Sequence, residues 1–454
     1  MKLKILLFTI LICSLSSCQE DWLEEKRSIS MVVPQTLNDM RMILNNNRLF
    51  YIEGTFYADA SADDYYITES IYNALDQSSR NHYTWGADLY EGRTTVTDWN
   101  KSYEQVLNAN IILEGLEQID MGDQFRSEYN DIKGGALYFR SKAFLNLAMQ
   151  YAPAFNANEA QSLMGIPLRL SSDIHTPVVR ATLEETYKRI TEDLSLAASL
   201  LADVPEHPTD ASKAAAYGLL ARCYLYMGDY ANALSSAENS LQLYSELLDY
   251  NSINPENNFP FQNFNKEVLI YGVHQGLNAL VVDTRAKIVP ELYDMYDEND
   301  LRKQLFFREN TDGTFAYRGS YTESRGPFNG VTVSEIFLIK AECEARLSQT
   351  EASMTTLNHL LEHRYKEGSY HPHTPSNDKD AIGIVLDERR KEMVFRGQRW
   401  FDLKRLGSDP DFAVQIKRTI GGTEYVLPPN DPNYVFPIPP DIIAASGIPQ
   451  NPRD

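Results

Sequence analysis

Residues 213 to 243, KAAAYGLLARCYLYMGDYANALSSAENSLQL, restrict the possible folds of this chain more than any other stretch. Apolar and small residues recur at helical spacing from Tyr217 to Tyr226, the break Gly228, Asp229, Tyr230 follows, and a second helical run extends from Ala233 to Leu243. Ala221 and Ala233 let two such helices approach closely, and Tyr224 is expected to fill the space between them. A helical hairpin of this kind cannot bury its apolar face alone. It needs similar pairs beside it, so the expected architecture is a stack of them.

The same periodicity predicts helices at Trp99 to Gln118, Gln124 to Tyr151, Thr182 to Leu201, Val333 to Arg346 and Thr350 to Tyr365. They make three or four tetratricopeptide-like pairs, the later ones degenerate, because Ser348, Gln349 and Thr350 stand where Gly, Asp and Tyr stand in the clear copy. Residues 51–98 and 251–330 differ: they are rich in Tyr, Phe, Asn, Gly and Asp, with no sustained period. Loops held on a stiff scaffold are where binding usually resides. With 454 residues at 43% hydrophobic content and no Gly/Ser- or Pro-rich linker, the expectation is one mainly α unit over residues 31–454, its helical pairs within 99–250 and 333–407 and its variable loops at 51–98 and 251–330.

A second informative segment is ERRKEMVFRGQRWFDLKRLG, Glu388 to Gly407. Ile382, Leu386, Met393 and Val394 continue an apolar face, while the charges from Glu388 to Glu392 are spaced to pair three or four residues apart. Gly397 offers a helix terminus, and Trp400, Leu403 and Leu406 begin a new apolar edge among Arg399, Asp402, Lys404 and Arg405. The reading is a packing corner that contacts no ligand.

Five ordered segments, GIPLRL at 165–170, TLEETYKRITEDLSLAASLL, KAAAYGLLARCYLYMGDYANAL, SEIFLIKAECEAR and FPIPP followed by QNP, together with the 388–407 corner, resemble the RagB/SusD family. The chain departs from the family pattern at its end, where QNP continues as Arg453 and Asp454. The resemblance implies a SusD-like fold, mainly α with a tetratricopeptide-like scaffold and loop-rich insertions carrying the binding face. It also implies a surface lipoprotein without catalysis or cofactor, which captures a glycan or, alternatively, a peptide. The implied partner is a TonB-dependent, SusC-like outer-membrane transporter. A surface hydrolase is the reading from another class.

The N-terminus points the same way independently. Lys2 and Lys4 precede the apolar run Ile5 to Leu15, the length of a secretory h-region and too short to span a bilayer. Leu15, Ser16, Ser17 and Cys18 fit a lipobox, so residues 1–17 are expected to be a signal peptide, Cys18 the lipidated residue and 18–30 a tether. Gln19, Glu20 and Asp21 resemble the acidic signal that sends such lipoproteins to the outer face of the outer membrane.

Charge narrows the partners. The formal net charge is −21, and removing residues 1–17 takes away two lysines and no acid, leaving about −23. Nucleic acid and anionic lipid are poor partners for such a field. Cys223 and Cys343 lie on separate predicted helices and read as buried small apolar residues, although an exported chain would permit a disulfide between them.

His359, Leu360, Leu361, Glu362, His363 spells the HxxEH order of inverted zinc peptidases, with His371 and His373 nearby. No downstream acidic ligand completes the set, and the same residues fit a repeat helix. No GxSxG, P-loop or dinucleotide fingerprint is present. Asp63 with Asp64 is a carboxylate pair of the kind expected by number alone. Asp297, Glu298, Asn299 and Asp300 lack the ordered spacing of a Ca²⁺ loop and read as a solvated acidic turn.

What remains is recognition by aromatic loops, since sugars stack their C–H faces on rings and place hydroxyls on polar side chains. Trp22 lies in the tether, Trp99 begins a helix and Trp400 belongs to the corner, which leaves Trp85 free, flanked by Tyr83 and Tyr90. Tyr65 and Tyr66 lie just upstream, and the loop TFAYRGSYTESRG adds Tyr317, Tyr321 and Arg325. These eight residues are the expected ligand-binding set, with Trp85 at its centre.

Overall fold

The structure is a computed structural model and describes residues 34–119, 125–274 and 280–453. The expected signal peptide, the lipidation site Cys18 and the tether to residue 30 lie outside the described residues. Helices dominate: α1 (Thr97–Glu117), α2 (Arg126–Tyr151), α3 (Leu183–Leu200), α4 (Lys213–Met227), α5 (Tyr230–Leu243), α6 (Val333–Arg346), α7 (Thr350–Glu362), α8 (Asp378–Glu392) and α9 (Arg399–Arg405) form the scaffold. Consecutive helices pack on one another from α1 on α2 through to α5 on α6, α6 then meets both α7 and α8, and α9 packs on the short helix Phe56–Ser61. That is the stacking the hairpin at 213–243 demanded, and the fold is mainly α with a tetratricopeptide-like scaffold.

Local chemistry sets the helix ends. Thr182 and Glu185 form a reciprocal capping box at the start of α3, and Ser212, Asp229 and Thr332 each accept a backbone N–H at the N-termini of α4, α5 and α6. Gly228 closes α4 in the left-handed region at φ 71°. Inside the hairpin, Tyr224 is only half-buried. Tyr226 takes the interior position instead, and its hydroxyl donates to Gln398 at 2.8 Å.

α2 is the axis of the molecule. From Gly134 to Tyr151 every residue is buried, so this helix has no polar face. Gly134 and Gly135 sit where a Cβ would come within 2.7 Å of Leu201 and 2.8 Å of Leu44, which explains two glycines in so long a helix. The buried C-terminus needs partners for its last carbonyls. The C-terminal part of the chain supplies them: Lys404 Nζ donates to Met149 O at 2.8 Å and to Ala152 O, Phe436 N to Gln150 O at 2.9 Å, and Asn451 Nδ2 to Tyr151 O at 2.8 Å. Burial pulls the Lys404 ammonium down to about 7, while the carbonyls it caps keep it hydrogen-bonded.

Strands are short and occur among the described residues as two-stranded pairs. They tie the two loop regions together, since Ile52–Glu53 runs parallel to Val273–His274 and Tyr65–Tyr66 runs antiparallel to Lys287–Ile288. The hairpin Ile416–Ile420 with Thr423–Leu427 closes over the same region. Beneath it lies a second core cluster, largely aromatic, built from Tyr65, Tyr83, Tyr250, Phe306, Tyr321 and Phe395 with their neighbours.

Candidate functional site

The 388–407 corner is an ionic joint, and its partners are mostly distant. Glu388 does meet Lys391 at 2.5 Å within α8. Arg389 instead pairs with Asp402 at 2.8 Å, Arg390 with Asp64 at 2.9 Å, and Glu392 with Arg364 at 3.0 Å and Arg302 at 3.4 Å. Arg399 holds Asp63 at 2.6 Å. Asp63 and Asp64, adjacent in sequence, are therefore anchor points for α8 and α9. The helix also stops at Glu392, five residues before Gly397. Gly397 turns the chain at φ 72°, with its N–H on Asp59 Oδ1 at 3.0 Å and no room for a Cβ beside Asn329.

The expected ligand platform lies mostly inside the protein. Trp85 is 7% exposed, caps the helix Gln77–Thr84 in the left-handed region at φ 55°, and donates its indole N–H to Ser61 O at 3.0 Å. Tyr83, Tyr65, Tyr90 and Tyr321 are buried as well. Around Trp85, Tyr83 and Tyr65 the packing centre is Arg418, a buried residue that no sequence motif singles out. From the hairpin it donates to Tyr83 O and Ala62 O, and its guanidinium stands 3.9 Å from the Tyr83 ring and 5.0 Å from both Tyr65 and Trp85. Three platform aromatics are thus brought together, but around a cation in the core, with no ring face left to solvent.

The remaining members are scattered. Tyr321 donates to Glu267 Oε2 at 2.9 Å and carries the Arg396 guanidinium 3.7 Å from its ring, while Tyr90 sits 5.9 Å from His82. Tyr317 is half-buried against Phe395 at 5.1 Å, and Tyr66 is half-buried opposite Lys287. Arg325 is exposed and pairs with Asp283 at 3.3 Å.

Besides Tyr66 and Tyr317, the half-exposed aromatics of this region lie outside the expected set. Tyr72 and Tyr425 are half-buried on the edge of the second cluster, Tyr72 6.1 Å from Tyr83 and in contact with Tyr425 of the hairpin. Tyr293 and Phe315 lie face to face at 3.7 Å and 12°, with Lys303 Nζ 5.0 Å from the Tyr293 ring. Burial pushes the Tyr425 and Tyr293 hydroxyls up, so both remain neutral and able to donate and accept. These four rings border the second core cluster, and with Tyr66 they make up its half-exposed aromatic rim. An edge-exposed ring plus a hydroxyl suits a ligand with C–H faces and O–H groups. No sequence pattern marked Tyr72, Tyr293, Phe315 or Tyr425, because each lies in a short element without periodicity.

The enzymatic alternatives are placed equally plainly. His359 lies 5.3 Å from Phe337 and 5.3 Å from the His363 ring, and His363 Nδ1 stands 3.0 Å from His359 O. Among the described residues no group of three or more His, Cys, Asp or Glu is arranged to hold a metal ion. The expected acidic turn at 297–300 is only partly solvated, since Asp300 is buried and chelates Arg302 at 2.7 Å. Cys223 and Cys343 are both buried free thiols.

Two family patterns match the chain. One, described as starch-binding associating with outer membrane, covers residues 21–225, and the other, described as the SusD family, covers residues 327–452. The chain belongs to the SusD family. A SusD-like protein P2 from Formosa agariphila is 22% identical over 98% of both chains. Among solved structures, a SusD superfamily protein from Bacteroides thetaiotaomicron superposes with TM-score 0.75 at 22% identity, covering 92% of this chain and 100% of that one. A putative sugar binding protein from Bacteroides vulgatus gives TM-score 0.74 at 22% identity, covering 93% and 99%. The SusD fold therefore accounts for both the helical stack and the loop-rich face. No helix among the described residues is long and apolar enough to cross a membrane.

Proposed function

We propose that this chain is a cell-surface lipoprotein that captures an oligosaccharide or polysaccharide on the aromatic rim and delivers it to a TonB-dependent outer-membrane transporter. The observation that carries the reading is the rim itself: Tyr72, Tyr293, Phe315 and Tyr425 stand half-exposed over a cluster in which Tyr65, Tyr83, Tyr250 and Tyr321 are buried, and Tyr66 is half-exposed next to Tyr65. Support comes from the family description, starch-binding associating with outer membrane, and from the neighbour described as a putative sugar binding protein. In this reading residues 1–17 are removed on export, Cys18 carries the lipid, 18–30 form the tether, and 31–454 are the binding unit. The protein holds its ligand without transforming it, so no catalytic step is assigned.

Titration of Tyr72→Ala and Tyr425→Ala against gluco-, xylo- and manno-oligosaccharides, with peptides of matching length, tests the rim. Each truncation is expected to weaken binding by about 1–3 kcal/mol, and to move stability by less than about 0.5 kcal/mol, as for surface residues. Unchanged affinity in both variants would remove the rim from the site. Binding of peptides alone would replace the sugar reading with the peptide one.

A further inference from the structure

A concavity lies where α9 and the C-terminal tail meet the strap that follows α2, and none of the rim residues lines it. Its volume is about 650 Å³, inside the range of sites that enclose a small organic ligand, ~300–1,000 Å³. Phe155, Glu159, Lys404, Asn430, Asp431 and Tyr434 are among the residues lining it. The chemistry of the walls becomes clear once the groups already in use are set aside. Lys404 is spent on the end of α2, and Arg405 is held by Asp402 and Glu342, each at 2.7 Å. Neither cation is offered to a ligand.

The acceptors are less committed. Asp431 uses Oδ1 to accept from Asn433 N at 2.8 Å, and Glu159 uses Oε2 to accept from Asn156 at 3.0 Å, which leaves each carboxylate a further oxygen. Tyr434 is buried, and its hydroxyl has no hydrogen-bond partner among the described residues. A buried polar group in that state costs about 1–3 kcal/mol. The Phe155 ring is half-exposed, with its other contact an edge approach to Tyr187 at 5.1 Å. An aromatic ring beside acceptor-only carboxylates calls for a ligand with C–H faces and O–H donors. The same carboxylates, in a strongly acidic chain, repel an anion.

We infer that this cleft is a second carbohydrate site, taking one or two neutral sugar units independently of the rim. It extends the sugar-binding reading above, and the two are separable by experiment. Ala157 lines the cleft from an exposed position, so Ala157→Trp obstructs the space without touching the core. Calorimetric titration with maltotriose, cellotriose, xylotriose and mannotriose is carried out on wild type, Ala157→Trp, Glu159→Gln and a Tyr72→Ala/Tyr425→Ala double variant. The expected result is two sites per wild-type chain. Ala157→Trp should remove one and leave the affinity of the other unchanged, Glu159→Gln should weaken the same one at least fivefold, and the double variant should keep the cleft site.

A single wild-type site that survives Ala157→Trp and is lost in the double variant would overturn the cleft and leave the rim reading standing. A single site lost only in Ala157→Trp would support the cleft and overturn the rim. Absence of binding to all four trisaccharides would overturn the cleft as a site for short neutral sugars.

Discussion

Asn451 donates its side-chain amide to the carbonyl of Tyr151 at 2.8 Å, across 300 residues of chain. The same amide reaches Phe436 O at 2.9 Å, and its oxygen accepts from Arg180 at 2.8 Å. One carboxamide thus fastens the end of the longest helix to the tail and to the strand before α3.

Asn451→Ala strands two buried carbonyls at once. A buried unsatisfied group costs about 1–3 kcal/mol, so the variant is expected to unfold at clearly lower urea than wild type with an unchanged denaturant slope. Asn451→Asp retains the acceptor but removes the donor, and it should be no better. Wild-type stability in both variants would show that the tail does not close α2.

Trp85 now carries a structural prediction. Truncating a buried aromatic costs about 3–5 kcal/mol, so Trp85→Ala should melt well below wild type, as should Arg418→Met, which removes the cation its ring shares with Tyr65 and Tyr83. A melting curve for each, beside Tyr72→Ala, separates core from rim. An unshifted Trp85→Ala would return that residue to the ligand surface.

Acid should loosen the joint at α8. Burial by itself would raise the Glu392 carboxyl, but the guanidinium groups of Arg364 and Arg302 outweigh it and hold the group down to about 2 against its usual 4.5. A carboxylate lowered on folding stabilises fully above its unfolded value and loses that contribution as pH falls from about 4.5 toward 2. Glu388 and Asp402, also lowered despite burial, add to the same limb. Urea midpoints at pH 6, 4.5 and 3 should therefore fall in that order, and Glu392→Gln should be weaker at pH 6 with a shallower acid decline. A midpoint independent of pH would contradict the pairing.

The proposed lipid anchor is testable on its own. Cys18→Ala should move the protein from the membrane fraction to the soluble one and abolish labelling by a fatty-acid probe, with its melting temperature unchanged. Continued membrane association with lipid labelling would reject Cys18. Protease added to intact cells should remove the wild-type protein, and complete protection would place it on the inner side.

The helices were legible because they depend on local spacing. Val333–Arg346 is recovered residue for residue, and the predicted helices at 99–118, 124–151 and 182–201 differ from α1, α2 and α3 by one or two residues at their ends. Thr350 to Tyr365 was too long: α7 stops at Glu362 because Arg364 turns inward to Glu392 and Glu267. The aromatic face was not legible. Whether Trp85 is core or surface depends on Arg418, 333 positions away, and no periodicity in HYTWGADLYEG encodes that meeting. Charge runs misled for the same reason. Arg390 and Arg399 sit in a helix-like pattern that suggests local pairs, yet Asp63, more than 300 positions upstream, is what they grip.

The closing of α2 by Lys404, Phe436 and Asn451 also sets an order in time. Ribosomes add about 5–20 residues per second, so roughly 15–60 s pass between the synthesis of Tyr151 and that of the amide that caps it. Throughout that interval the helix has its full apolar surface but lacks the donors for its last turn, and loop closure over such a span is entropically slow. The nascent chain therefore reaches residue 451 with the last turn of its central helix uncapped, and the native state waits until the tail has followed.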